Sequence, residues 1–183
     1  MLAYVFWHWP KSDVDPAVYE GDQRAFHLAL ASAAPAGFVR SKVFRVAGEA
    51  PWLGGAPAYA DWYLLDTSAA LDPLNIAAVS GICEQPHRAL TGAMSAGAGS
   101  LLTLRTGTPV LDSSRTVTLL TKPRDMPYAE FDRTIAPIPA IDEAAIWRRA
   151  LVLGPTSEFL ALSSAPAEFP SILQPRTLGL TPI

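Results

Sequence analysis

Apolar and polar residues alternate along this chain in short runs, and prolines and glycines mark most of the boundaries. Residues 2–9, Leu-Ala-Tyr-Val-Phe-Trp-His-Trp, form a β-prone run that Pro10 stops. Side chains alternate across a strand, so Tyr4, Phe6 and His8 share one face and Ala3, Val5, Trp7 and Trp9 the other. Both faces are apolar enough for burial, which predicts a central strand. Asp15-Pro16 is a helix-start signal, an acidic cap followed by a proline at the first helical position. The helix runs to about residue 34, where Pro35 and Gly37 stop it. Tyr19, Phe26, Leu30 and Ala33 fall on its apolar stripe. Glu20, Arg24 and His27 lie on a polar flank that reads as solvated, with Glu20 and Arg24 as an i,i+4 pair.

Residues 38–46 read as a second strand, and Arg40, Lys42 and Arg45 within it imply an edge or a wet face. A Gly- and Pro-rich loop over 47–58 leads to a third strand over 59–66. Asp72-Pro73 repeats the cap-and-proline signal for a helix that Gly81 ends. Pro86-His87 opens another, running to Gly97-Ala98-Gly99, and residues 100–106 form a fourth strand. The order β-α-β-β-α-β over residues 1–107 is the split βαβ, or ferredoxin-like, unit: an antiparallel sheet with helices on one face.

The second half carries fewer signals. A strand over 116–122 is stopped by Pro123. A helix opens at Pro127-Tyr128, runs to about Ile135 and is ended by Pro137 and Pro139. Residues 144–153 have mixed character, with strand favoured from Trp147. Gly154-Pro155 reads as a turn, 158–163 as a strand, and 177–180 as a short last strand. Two pieces echo the first half. Trp9-Pro10 and Lys122-Pro123 each precede a helix with a tyrosine near its start. Residues 61–69 (DWYLLDTSA) and 158–165 (EFLALSSA) each start acidic-aromatic and end hydroxyl-alanine. The expectation is an α+β chain of two fused ferredoxin-like units, residues 1–110 and a degenerate second half at 111–183, with their open sheet faces packed together.

This layout resembles the dimeric α+β barrel superfamily, which includes EthD-like proteins, antibiotic-biosynthesis-type monooxygenases and the chlorite dismutase group. The Tyr-x-x-Trp-His-Trp-Pro opening and the Pro86-His87 helix start also resemble an uncharacterised bacterial protein family. The resemblance implies a small-molecule cavity between the helix-free sheet face and its cover, a second sheet from the same chain or from a partner subunit. It does not imply one chemistry, since folds of this kind host many.

Composition narrows the classes. The chain has 183 residues, half of them apolar and 17% charged. A globular chain of this size buries roughly 70% of its unfolded surface and needs no staple. A net charge of −3 gives no basic footprint for nucleic acid. The single cysteine, Cys83, excludes an internal disulfide or a cysteine metal cage and reads as a buried or incidental thiol. No cationic segment precedes an apolar one at the start, and no run reaches the ~18 apolar residues of a membrane span. The expected setting is cytoplasmic, as a monomer or homodimer.

His8, at the end of the Tyr4-Phe6-His8 face, is the leading candidate for general base. His87, placed by the sequence as the second residue of its helix, lies in the positive end of the helix dipole, which favours a neutral imidazole. Asp61, on a neighbouring strand, is placed to orient His8. Tyr4, Phe6, Trp62 and Tyr63 are candidate ligand-lining aromatics, and Arg40 and Arg105 candidate partners for a ligand anion. The chain has no Gly-x-Gly-x-x-Gly, no Walker loop, no Gly-x-Ser-x-Gly and no paired-histidine metal motif. The function these residues point to is binding of, or chemistry on, a small apolar or aromatic molecule in a metal-free, cofactor-free cavity, in the style of EthD-like or cofactor-independent monooxygenase or isomerase sites. The alternatives are a non-catalytic structural or interaction protein and a haem-binding barrel.

Overall fold

A computed structural model of the chain describes residues 1–50, 52–53, 57–109, 111–138, 144–152 and 157–183. The first half runs β1 (Leu2–Pro10), α1 (Pro16–Ala33), β2 (Phe38–Ala47), β3 (Ala58–Leu65), α2 (Leu71–Ala78), α3 (Glu84–Ala93) and β4 (Met94–Thr106). The second runs β5 (Thr116–Leu120), α4 (Tyr128–Ile135), β6 (Ala145–Val152), β7 (Phe159–Ser163) and β8 (Arg176–Pro182). Short 3₁₀ turns precede α2, α3 and β8. No helix among the described residues is long and apolar enough to cross a membrane.

The strands close one antiparallel barrel within the chain, in the order β1-β3-β2-β8-β5-β7-β6-β4. Opened between β2 and β8 and between β6 and β4, it falls into two sheets, β4-β1-β3-β2 and β8-β5-β7-β6. Each has its own fourth, first, third and second strand in that order, the ferredoxin-like arrangement. In the second half a 3₁₀ turn at Ser171–Leu173 stands where the first half has α2 and α3. β1 lies between β3 and β4, so its place as a central strand follows the sequence.

Strand alternation sorts the side chains. Ala3, Val5 and Trp7 point into the barrel and meet Trp62, Trp147 and Leu160 in one buried cluster. Trp62 and Trp147 meet edge to face, ring centroids 5.9 Å apart. The indole N–H groups of Trp7, Trp52, Trp62 and Trp147 have no hydrogen-bond partner among the described residues, so burial of apolar area is what holds this cluster. The other face of the first sheet packs under α1, α2 and α3 in a second cluster. The corresponding layer of the second half is an apolar plug around Leu120, Phe131, Ile146 and Phe159.

Several expectations are corrected. The cavity is expected on the helix-free face, but that face carries the buried barrel core, and the Tyr4-Phe6-His8 face lies under the helices. β2 has a neighbour on both sides, but β8 accompanies it only over Phe44–Ala47. Asp72 is not the cap: α2 starts at Leu71, two residues before the expected Pro73, after a 3₁₀ turn and with Ala70 at its N-cap. α3 begins at Glu84 and ends at Ala93, so Gly97-Ala98-Gly99 belongs to β4. The glycines there make room for rings. A Cβ at Gly97 would stand 2.4 Å from Phe6 Cζ, and one at Gly99 would stand 3.0 Å from the Tyr4 hydroxyl. The matched segments 61–69 and 158–165 do fall on equivalent strands, β3 and β7, but one residue out of step. Trp62 points inward, whereas Phe159 packs outward against Phe131, ring centroids 4.2 Å apart. Pro139 and the Gly154-Pro155 turn lie outside the described residues.

Trp147→Ala opens a cavity in the barrel core and is expected to lower the unfolding free energy by about 3–5 kcal/mol. Gly107 has φ +86, and a Cβ there would meet the Ala144 carbonyl oxygen at 2.0 Å. Gly107→Ala should therefore lose more than the ~1–3 kcal/mol of backbone strain alone. Urea denaturation of both variants, read at constant m-value, checks this.

Candidate functional site

The site is built where α1 crosses β1, β3 and β2. Asp15 fixes the start of α1: its Oδ1 accepts from the backbone N–H of Ala17 (2.8 Å) and Val18 (3.1 Å), with Pro16 at the first position. Tyr19, Gln23 and His27 follow at four-residue spacing and so lie on one face, turned to the sheet. On the sheet, the β1–β3 register sets Tyr4 opposite Tyr63, Phe6 opposite Asp61 and His8 opposite Tyr59. His8 and Asp61 are therefore diagonal neighbours on one face.

Asp61 is the centre. It is 1% exposed, a carboxylate withdrawn from water. His8 Nε2 is 3.1 Å from Oδ1, the Tyr63 hydroxyl donates to Oδ2 at 2.9 Å, and His27 Nε2 stands 3.6 Å from Oδ2. Burial pushes the carboxyl pKa up. The histidines His8 and His27 beside it outweigh that and hold it well below the usual carboxylate range. Asp61 is thus kept as an anion and is a poor proton acceptor.

His8 is fully buried. Its ring stacks on Phe6 and Tyr59 at centroid distances of 5.5 and 5.7 Å, and its Nδ1 is 2.6 Å from the Tyr19 hydroxyl. With Asp61 ionised, Nε2–H donates to Asp61 and Nδ1 accepts from Tyr19. The Gln23 amide nitrogen as placed stands 3.0 Å from His8 Nε2, and Gln23 Oε1 has no partner among the described residues. A ring nitrogen that already donates to Asp61 is served by the amide oxygen, so hydrogen-bond logic turns Oε1 toward the ring. Burial, and then the Asp61 charge, push the Tyr19, Tyr63 and Tyr4 hydroxyls up. Burial and then Glu20 raise Tyr59 to about 12. All four stay protonated donors at neutral pH.

Against this cluster lies a cavity of about 200 Å³ between β1, β3 and the three helices. Tyr4, Phe6, Phe26 and Tyr63 supply aromatic wall; Leu74, Ala78 and Leu90 supply aliphatic wall. Its ionisable groups are Asp61, the tyrosines and His87. His87 is the fourth residue of α3, not the second. Burial lowers its pKa, which keeps the ring neutral, with burial and not the helix dipole as the cause. It rests beside Phe26 (5.4 Å between centroids) and makes no hydrogen bond among the described residues.

The fold thus gathers Tyr4, Phe6, Asp61, Tyr63 and His87 on one cavity. His8 lies behind Asp61, not on the wall. Trp62 points into the barrel. Arg40 pairs with Asp112, and Arg105 with Asp132, at the surface, away from the cavity. Cys83 is buried, and burial raises its pKa. The sequence pattern puts Tyr19 on an apolar stripe and His27 on a solvated flank, and does not single out Gln23. His27 is 9% exposed, hydrogen-bonded to Ser41 Oγ (2.7 Å) and stacked on Tyr63 (5.3 Å). Glu20 is turned to Arg45 and Tyr59 instead of Arg24. The signal that marks this set is hydrogen-bonding side chains at 19, 23 and 27, on the buried side of an amphipathic helix.

Fold and site together define an α+β barrel of two fused ferredoxin-like halves, with an aromatic-walled cavity under the helices of the first. No protein-family model matches the chain, and no curated protein matches it. Among solved structures, a "putative monooxygenase" from Lactobacillus acidophilus NCFM is similar over 99% of this chain and 93% of its own, at 7% identity and a TM-score of 0.57. A "putative chlorite dismutase" matches 99% of this chain and 95% of its own at 12% identity and TM-score 0.48. A dimeric protein of unknown function with a ferredoxin-like fold, from Bacteroides fragilis NCTC 9343, matches 55% of this chain and 92% of its own at 15% identity and TM-score 0.39. At these identities the first of them supports the fold of the whole chain and nothing about its chemistry.

Asp61→Ala leaves two buried histidines and a tyrosine without their shared partner and should cost about 3–5 kcal/mol at neutral pH. A carboxyl whose folded pKa lies below its unfolded value of 3.8 stabilises the fold above that pH and loses the contribution as pH falls. The gap between wild type and variant, measured by denaturation, should therefore narrow on acidification.

Proposed function

We propose that the chain binds a small, neutral aromatic molecule with one hydrogen-bonding group, such as a phenol, in the cavity under α3, and moves a proton on it through His87. The observation that carries this is the pairing of an aromatic wall with two kinds of ionisable group: a buried carboxylate already committed as an anion, and a neutral imidazole whose ring makes no hydrogen bond among the described residues. Asp61 then sets polarity and repels anionic ligands, while His8, Tyr19 and Gln23 hold it in place. The Tyr4 hydroxyl, with no hydrogen bond of its own among the described residues, is free to contact the ligand. His87 is the group positioned to take or return a proton. The reading needs no metal or cofactor. A haem does not fit: a cavity of about 200 Å³ holds only part of a porphyrin, and both ring nitrogens of His8 are engaged. A purely structural role for the buried network is favoured by one fact, the complete burial of His8.

Phenol titrated into the protein should shift the NMR signals of His87, Leu90 and Tyr63 saturably, and benzoate should bind at least about ten-fold more weakly, a difference of ~1.4 kcal/mol. Ala78→Trp, which fills the cavity, should abolish binding while the protein stays folded. Phenol affinity should decline as pH falls below the ordinary histidine value of 6.5, and His87→Gln should remove that dependence. Shifts outside the cavity, or none, would sink the proposal and leave the structural role.

A further inference from the structure

A second concavity lies on the opposite side of His27. It is a groove of about 590 Å³ between the C-terminal half of α1 and the start of β2, within the size range of small-molecule sites. Leu28 and Val39 line it, both well exposed despite their apolar side chains. Three cations, Arg24, Arg40 and Lys42, line it too, and no acidic side chain does among the described residues. Arg40 and Lys42 share one exposed carboxylate, Asp112, from outside the groove, and exposed pairs of that kind hold little energy. Arg24 has no partner among the described residues.

The groove coincides with the notch in the barrel wall. β8 pairs with β2 only over Phe44–Ala47, and the last contact along the seam is Ile183 N–H donating to the Val43 carbonyl. Backbone groups two residues apart on a strand face the same side, so the Ser41 backbone faces the groove with no strand beside it. The Ser41 hydroxyl and His27 lie there as well.

We infer that this groove is a second binding site, for a small organic anion with an apolar body, such as a short-chain carboxylate. The apolar walls take the body. Arg24, helped by Lys42 and the Ser41 N–H, takes the charged head. The inference is independent of the inner cavity, since the two share no lining residue.

The test uses the full chain and octanoate, with octanol and acetate as controls for body and charge taken separately. Octanoate should shift the Ser41 and Val43 amides and the His27 ring saturably, more weakly at high salt. It should bind at least ten-fold more tightly than either control. Arg24→Gln with Lys42→Gln should weaken it ten-fold or more at an unchanged melting temperature. Leu28→Asp, at an exposed position, should weaken it too. Equal binding of octanol or acetate overturns the inference. So do shifts confined to Leu90 and Thr91 of the inner cavity, and so does capture of an acidic peptide without octanoate binding.

Discussion

Closure of the barrel is the constraint from which the rest follows. A four-stranded ferredoxin-like sheet has helices on one face and nothing on the other, and an uncovered apolar face is unstable in water. Here each half covers the other. β1 alternates with a period of two, so once Ala3, Val5 and Trp7 are committed to the interior, Tyr4, Phe6 and His8 must go under the helices. Trp7, Trp62 and Trp147 are the largest side chains of the buried interior cluster. His8, Gln23, His27 and Asp61 lie instead in the layer between sheet and helices.

That layer differs between the halves. In the first, three helices span it and a carboxylate lies within it. In the second, among the described residues, α4 and the 3₁₀ turn at Ser171–Leu173 close over an apolar plug. Burying a carboxylate costs several kcal/mol unless every lone pair finds a donor. Asp61 meets that demand with the His8 imidazole and the Tyr63 phenol, with the His27 ring close by at 3.6 Å, and those neighbours have partners of their own: Tyr19 and Gln23 for His8, Ser41 for His27. The network therefore pins α1 to three strands at once. A cavity beside such a cluster inherits a fixed charge and rigid walls, the pre-organisation that binding sites need.

Much of the fold was legible because it is written in local stops and alternation. Pro10, Asp15-Pro16 and Pro127-Tyr128 mark their elements within a residue or two, and the strand order of the first half follows from the βαββαβ sequence. Asp61, His87 and the Tyr4-Phe6 wall were legible as residue types that can do chemistry. What was not legible is what depends on tertiary placement. Helical periodicity puts His27 beside Glu20 and Arg24 and cannot say that β2 comes up against that flank with Ser41. Alternation separates Trp62 from Asp61 but not inside from outside. Gly97 and Gly99 read as a helix stop, although the rings of Tyr4 and Phe6 lying over them make them strand glycines. The one-residue slip between the two halves is of the same kind: matched letters, opposite faces.

His27 has a position that no single cavity explains. Asp61 belongs to the wall of the inner cavity, whereas His27 and Ser41 belong to the wall of the outer groove. The ring thus separates the two with one nitrogen turned to each side, Nε2 toward the buried carboxylate and Nδ1 toward Ser41. A 3.6 Å separation from Asp61 is too long for a strong hydrogen bond and short enough for charge to be felt strongly in a medium of low dielectric constant. The ring is held there by Ser41 on one side and by its stacking on Tyr63 on the other, so His27 closes the wall between groove and cavity and ties α1 to both β2 and β3.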